Sequence, residues 1–378
     1  MSMAVTDPRE NRAAEQASQW KLMWWAFRRH RLARWSMYVV LGLYAIGALA
    51  EFFAPFDPNA ASARHVFHPP QAINFIDTAP DGSWRIRPWV QGHRLVRDRM
   101  TLEQSFVPEP GRKIYLEFLG RGEPTLLFGL LPIERRLLAT ADPQERFFLF
   151  GADRLGRDML SRVIHGTRIS MSIGLVGVAM SLLLGLTLGG ISGYFGGVVD
   201  MAIQRVIEFI LSLPTIPIWL GLTAALPQDW SPITRYFAIT IILSLVTWTE
   251  LARVVRGRFL ALRSEDFVTA AKLDGCSQQR IIARHMLPSL ASHVIAAVTL
   301  AIPFMILAET SLSFLGLGLQ PPIISWGVLL KEAQNIRSIA QAPWLFIPGG
   351  AVCVAVLALN FLGDGLRDAA DPYAQEGR

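Results

Sequence analysis

Long apolar runs separated by short polar breaks dominate the chain. A helix needs about 20 apolar residues to cross a hydrocarbon core, and six stretches approach that length. The first is 35–54, closed by Pro55 and Asp57-Pro58. The second, 169–192, is uncharged and rich in Ser, Gly and Leu. The third, 203–226, carries Glu208 near one end and Pro214 and Pro217 inside. The fourth, 233–252, is uncharged only from Tyr236 to Thr249. The fifth, 289–312, holds Glu309 near its far end, and the sixth is 343–362. The pattern predicts an all-α polytopic membrane protein with six transmembrane helices. Its expected parts are a cytoplasmic N-terminal segment (1–34), the first transmembrane helix (35–56), an extracytoplasmic insert (57–150), a core domain with the other five helices (151–373) and a tail (374–378).

The insert reads differently. It is rich in Pro, Gly and Arg, and its later part suggests short strands at 113–119, 125–129 and 146–150, bounded by Gly and Pro. A small β-rich cap over the outer mouth is expected, with a loosely ordered loop as the alternative.

Composition agrees with a membrane protein. Charged residues are 17% of the chain, against about 25% in soluble domains, and the mean hydropathy is +0.34. The net charge of +6 could suit nucleic acid, but the basic residues fall in blocks beside apolar runs. That placement suits membrane orientation, so no nucleic-acid partner is expected. Arg28, Arg29, Arg31 and Arg34 precede the first helix and put the N-terminus in the cytoplasm; six crossings return the C-terminus there. The loop between the fourth and fifth helices is then cytoplasmic, with Arg253, Arg256, Arg258, Arg263, Lys272, Arg280 and Arg284, while 227–235 falls outside with one Arg. Residues 1–34 are polar and basic, and no small-residue cleavage site follows the first apolar run, so no cleaved signal peptide is expected. Cys276 and Cys353 are too few for a disulfide framework.

The cytoplasmic interlude 264–288 is more patterned than a connector requires. Ser264 with two acids after it suits a helix start. Phe267, Ala270, Ala271 and Asp274 follow at helical spacing on one face, where small side chains allow close approach. Gly275 stands where a helix C-cap needs positive φ. Ser277 suits a second cap, with Ile281, Ile282, His285 and Met286 on one side and Pro288 at the next membrane segment. Helix, glycine elbow and helix at the membrane surface fit a docking element, and equally an amphipathic hairpin resting on headgroups.

Here the residues resemble a known family. Thr269-Ala270-Ala271, three residues, Gly275, nine residues and His285-Met286-Leu287-Pro288 match the spacing of the "EAA" loop of ABC importer permeases. Thr stands for Glu and His for Ile, as in the peptide-transporter branch. Gly151-Ala-Asp-Arg-Leu-Gly-Arg-Asp158 with Ser161-Arg162 is similar to a segment of the C-type oligopeptide and dipeptide permeases. Gly166-Thr-Arg-Ile-Ser170, Gly193-Tyr-Phe-Gly-Gly197, Leu312-Ser-Phe-Leu-Gly-Leu-Gly318, Pro321-Pro322, Trp326-Gly327, Asn360 and Gly363–Asp368 continue it in order.

The resemblance implies a permease subunit of the bacterial inner membrane, not an enzyme. It would pair with a homologous second permease, two ATPase subunits and an extracytoplasmic peptide-binding protein. Its ATPase-coupling residues would be Phe267, Thr269, Ala270, Ala271, Lys272, Leu273, Asp274, Gly275, Ile281, Arg284, His285, Leu287 and Pro288. The four lysines follow Trp20, Arg112, Ala271 and Leu330, so no Gly-Lys of a P-loop exists. No cofactor is expected on this chain; MgATP would sit on the partners.

Pathway or gating candidates are Gly156, Arg157, Asp158, Glu208, Pro214, Glu309 and Asn360. Glu208 can pair with Arg205 at i−3. Both carboxylates lie near helix ends, favouring structural or gating roles over substrate contact. His65 and His68 lack further ligands, so no metal site is expected. A lone ion-coupled transporter would need a mid-membrane His or carboxylate relay, and a membrane hydrolase a nucleophile or metal constellation; neither is legible. Nickel and oligosaccharide importers use similar permeases and remain alternative substrate classes.

Overall fold

The computed structural model describes residues 19–78, 84–97, 104–142, 144–227, 229–335 and 340–370. The 374–378 tail, Asp371-Pro372 and the start of the N-terminal segment lie outside them.

Helix α1 (Gln19–Arg29) meets α2 (Arg31–Ala48) at His30, whose Nδ1 accepts the Ala33 N–H at 3.1 Å and caps α2. A break at Leu49 separates α2 from a single turn, α3 (Ala50–Phe53). The expected first span, 35–54, is thus a rod of two pieces starting at Arg31, about 34 Å from end to end at 1.5 Å per residue.

Among the described residues four helices, none of them in the 31–53 rod, are long and apolar enough to cross a membrane on their own. They are α4 (Met159–Phe195), α7 (Pro232–Leu262), α11 (Ala291–Phe314) and the final helix α13 (Ile347–Ala370), which is entered through a 3-10 turn at Pro343–Phe346. The segment 203–226 departs from expectation. It is not one helix but α5 (Gly197–Ser212) and α6 (Thr215–Ala224), bent by 87° and able to count as a fifth span only together. Pro214 has no N–H to continue the ladder and pushes the residue before it out of the helical region; Leu213 sits at φ −93°, ψ 139°. The 233–252 run, the weakest by hydropathy, belongs to a 31-residue helix, because Pro232 at the first turn and the Ser231 cap start it early.

The core forms where α4 crosses α7 and α11: Ile173 and Val178 meet Ile239, Leu243, Met305 and Leu312. Glycines on α4 allow close approach, as small residues do between membrane helices; a Cβ on Gly189 would lie 2.5 Å from the Ala252 carbonyl. A second cluster packs α13 on α2 and α11 through Val40, Ile306, Val352, Ala355 and Leu359.

The insert is β-structured. Strands β1 (Ile73–Thr78), β2 (Trp84–Arg97), β3 (Gln104–Phe118) and β6 (Leu138–Thr140) form one antiparallel sheet in the order β1-β2-β3-β6, and β4 (Arg121–Leu127) pairs with β5 (Leu131–Arg135). Residues 146–150 are not a strand. Phe147 and Phe148 are buried, Phe147 beneath the sheet with Val90, Ile114 and Leu116, and the Gln71 Oε1 accepts the Phe148 N–H at 2.7 Å. The insert joins the helix bundle at the start of α4. The 264–290 segment lies at the opposite end, where Arg263 donates to the Tyr194 carbonyl at 3.3 Å.

Candidate coupling element and the Asp153–Glu309 network

The helix α8 (Asp266–Leu273) begins one residue later than expected. Ser264 does not cap it: its Oγ donates back to the Ala261 carbonyl at 3.0 Å, and Glu265 takes the cap position. At the other end Gly275 has φ +73°. The Cys276 N–H bonds the Ala271 carbonyl and the Gly275 N–H the Lys272 carbonyl, both at 3.1 Å. These two bonds define a Schellman motif, so the elbow angle is fixed by hydrogen bonds that only a left-handed residue at 275 permits. After α9 (Gln278–Arg280), Ile281–Met286 form a π-helical turn leading into α10 (Leu287–Ser289). The Leu287 N–H reaches the Ile282 carbonyl, and Pro288 offers no donor to restore the tighter ladder.

The expected face of α8 is divided. Ala271 turns inward with Val268, packing with Ile281, Met286 and Leu290 against Tyr194, Val255 and Phe259 at the ends of α4 and α7. Thr269, Ala270, Lys272, Asp274 and Gly275 are exposed, with Phe267 at 41% and Leu273 at 84%. The inward stripe therefore runs through Val268 and Ala271, and the outward stripe through Phe267, Ala270 and Leu273. On the second arm Ile281 is buried, His285 and Leu287 half-buried, and Arg284 and Pro288 exposed.

The pathway candidates do not converge on one site. Gly156, at φ +70°, lies under the Ser62 carbonyl, where a Cβ would be 2.0 Å from the oxygen. Arg157 donates Nε to Asp153 at 2.6 Å and Nη2 to Glu332 at 2.9 Å. Arg162 bonds the same Asp153 carboxylate and lies 3.4 Å from Glu332. Asp153 and Arg162 are essentially without solvent contact. The four residues bind the loop before α4 and the first turn of α4 to a short helix, α12 (Trp326–Glu332). Asp158 caps α4, accepting from the Ser161 N–H at 2.7 Å and its hydroxyl at 2.6 Å. Burial pushes its carboxyl up to about 6.

Glu309, expected to be solvated or paired near a helix end, is not solvated but fully buried and hydrogen-bonded. Its Oε1 accepts from Ser313 at 2.7 Å and Ser325 at 2.8 Å, while Oε2 has no hydrogen-bond partner among the described residues. Ser325 is the cap of α12, and the neighbouring Trp326 N–H donates to Ser170 on α4 at 3.0 Å. Helix α12 thus ties Glu309 at one end and the Asp153 network at the other. Glu208 is exposed on α5 and pairs with Arg205 at 2.9 Å, as its spacing predicted. Pro214 forms the α5–α6 bend, and Asn360 is half-buried on α13.

Asp153, Arg162 and Glu332 were not singled out by the sequence. The first two stand inside the Gly151–Arg162 motif, which was a signal; Glu332, far along the chain, had none. Among the described residues no group of three or more His, Cys, Asp or Glu is arranged to hold a metal.

Residues 185–375 match the family described as binding-protein-dependent transport system inner membrane component, and residues 18–70 the N-terminal TM domain of oligopeptide transport permease C. The chain belongs to the binding-protein-dependent transport family. The "Oligopeptide transport system permease protein OppC" of Haemophilus influenzae is 38% identical over 237 residues, 62% of this chain and 74% of the relative. The protein of the same name in Bacillus subtilis is 34% identical, over 62% of this chain and 75% of the relative. The "Dipeptide transport system permease protein DppC" of Alkalihalophilus pseudofirmus is 38% identical, over 59% and 71%. This member of the family is a multi-pass inner-membrane permease of mostly helical fold with a small β insert. Most of the insert, residues 71–150, lies between the two matched stretches.

Proposed function

We propose that the chain is one permease subunit of an ATP-driven peptide importer. It lines half of the translocation pathway together with a homologous second permease. Two cytoplasmic ATPase subunits supply MgATP hydrolysis, and an extracytoplasmic binding protein delivers the peptide. Both termini face the cytoplasm, as the basic residues flanking the helices favour. Relatives named for oligopeptide and dipeptide transport support the substrate class.

The observation that carries the coupling role is the outward stripe on α8. Phe267, Ala270 and Leu273 are exposed on a short helix whose inward side is anchored and whose exit is fixed by two hydrogen bonds at Gly275. Apolar side chains at such a tip fit a groove on another protein, and the anchored side passes its displacement to α4 and α7. Alternating access then follows as rigid movement of the helix bundle.

The test is uptake of a labelled peptide into vesicles holding the complete importer. Leu273→Asp should abolish uptake and separate the ATPase subunits on purification, with insertion of the chain unchanged. Uptake that persists with the ATPases still bound would refute the coupling role. Purified alone, the chain should bind nucleotide no better than background.

A further inference from the structure

The β4–β5 hairpin of the insert runs back along the membrane rod instead of away from it. At its root, Arg136 donates to the Ala54 carbonyl at 2.7 Å and the Leu137 N–H to the Phe52 carbonyl at 2.8 Å. At its tip, the Phe128 ring lies over the Arg168 guanidinium, 4.7 Å from the ring centroid. Arg168 is fixed to the carbonyls of Gly47 at 2.7 Å and Ala48 at 3.2 Å and to Glu51. From Ala54 to Gly47 is about 10 Å along a helix axis. The hairpin therefore descends by that depth beside α2 and α3.

Its polarity follows the same axis. Arg121, Glu123, Glu134 and Arg135 are at the root, and no charged residue stands between Glu123 and Glu134. At the tip Leu126 is 54% exposed, Phe128 58%, Leu130 80% and Leu131 62%. A solvated hairpin alternates polar and apolar faces; here both faces are apolar at one end and charged at the other. The turn is also unusual. Phe128 and Gly129 both have positive φ, 52° and 71°, and the Leu130 N–H closes on the Leu127 carbonyl at 3.0 Å. Asn or Asp usually precedes Gly in such a turn, and a bulky residue there is strained. Phe at this position places a large apolar ring at the deepest point.

We propose that the β4–β5 tip is a membrane anchor, with Leu126, Phe128, Leu130 and Leu131 inserted among the acyl chains of the outer leaflet just below the headgroups. The occupant is lipid. The charge gradient points along the rod, and the surface beside the tip is that of α2, which itself exposes Leu41 and Leu49. Depths of about 5–10 Å are usual for interfacial anchors. The anchor holds the insert at a fixed angle over the bundle, which would orient it towards an arriving binding protein. Assignment to the outer leaflet rests on the orientation given under Proposed function; insertion itself does not.

The test uses the assembled importer in nanodiscs. An environment-sensitive fluorophore is attached at Leu130→Cys in a background with Cys276→Ser and Cys353→Ser, and separately at Glu123→Cys. Nitroxides on the lipid acyl chain near its carbonyl should quench the Leu130→Cys label about two-fold or more, as expected for a group at the headgroup–acyl boundary, while aqueous iodide leaves it unchanged. The Glu123→Cys label should show the reverse. Iodide quenching at Leu130→Cys would overturn the proposal in favour of a solvated tip. Protection from both quenchers would overturn it in favour of a protein partner. Insertion is read without transport, so lost peptide uptake with normal lipid quenching would count against the importer reading and leave the anchor standing.

Discussion

The Ser325 hydroxyl donates to Glu309 Oε1 at 2.8 Å and accepts the Val328 N–H at 3.2 Å, so one side chain caps α12 and satisfies a buried carboxylate on α11. Ser313 donates to the same oxygen at 2.7 Å. Glu309→Ala would leave two buried hydroxyls without their acceptor, at about 1–3 kcal/mol for each unsatisfied group. Glu309→Gln keeps a carbonyl oxygen and should cost clearly less. Thermal unfolding of the purified chain in detergent should rank them wild type, Gln, Ala, and an Ala variant as stable as wild type would remove Glu309 from the support of α12.

The Asp153 network gives a sharper contrast. Asp153→Ala leaves the buried Arg162 with Glu332 alone, 3.4 Å away, and removes the acceptor for the Leu155 and Arg157 N–H groups, bonded at 2.8 and 3.0 Å. Breaking a buried pair by removing one partner costs about 3–5 kcal/mol. Arg157→Ala removes a partly solvated partner and leaves Asp153 paired with Arg162, so its loss should be smaller. Replacing Asp153 and Arg162 together by Leu and Met should cost less than the two single losses summed. Unfolding midpoints of Asp153→Ala, Arg157→Ala, the single variants Asp153→Leu and Arg162→Met and their double, measured in one detergent, decide this.

How much could be read beforehand follows from where the information lies. Apolar runs located α4, α7, α11 and α13 because a membrane span needs a continuous local signal. Gly275 was legible because a left-handed cap depends on one residue and its neighbours. Pro214 was visible but placed inside a helix, since the sequence does not say whether a proline bends a span gently or by 87°. Strand β2 was missed because Arg85, Arg87, Arg94 and Arg97 interrupt its apolar pattern, and β1 because Asn74 and Asp77 break its short one. Glu332 could not be nominated, because its partners Arg157 and Arg162 are distant in sequence and meet it only through packing of α12. Of the face expected on α8, Phe267, Ala270 and Asp274 are exposed and Ala271 alone is buried: Ala270 and Ala271 adjoin in sequence, and only the packed neighbours decide which turns inward.

Asp158 predicts a pH dependence outside the membrane spans. Burial raises its carboxyl to about 6 from about 3.9 in an unfolded chain. The folded state therefore binds the extra proton between these values, and the group's contribution to stability is most favourable near pH 4, declines towards pH 6 and is level above it. Asp158→Asn retains an oxygen to accept from Ser161 and removes the charge. At pH 7.5 it should be more stable than wild type by about 3 kcal/mol, from a shift of about two units at 1.36 kcal/mol each, and the gap should close as pH falls to 4. Hydrogen exchange of the first-turn amides of α4 across this range reads the effect. A gap that widens on acidification would reverse the sign and defeat the assignment.

Gly275 separates folding from coupling. A Cβ there meets nothing within 4 Å, so the cost of substitution is confined to the backbone at φ +73°. A β-branched residue in that region pays about 1–3 kcal/mol, and the elbow can escape the strain by giving up the Cys276–Ala271 and Gly275–Lys272 bonds. Gly275→Val should therefore insert into the membrane at wild-type level, since the spans are untouched, yet lose peptide uptake in the assembled importer. Gly275→Asn tolerates positive φ better and should keep a substantial part of it. Normal uptake by Gly275→Val would show that the elbow angle is not transmitted. Equal loss in both variants would mean that the exposed backbone at 275, rather than its conformation, is what the partner subunit requires.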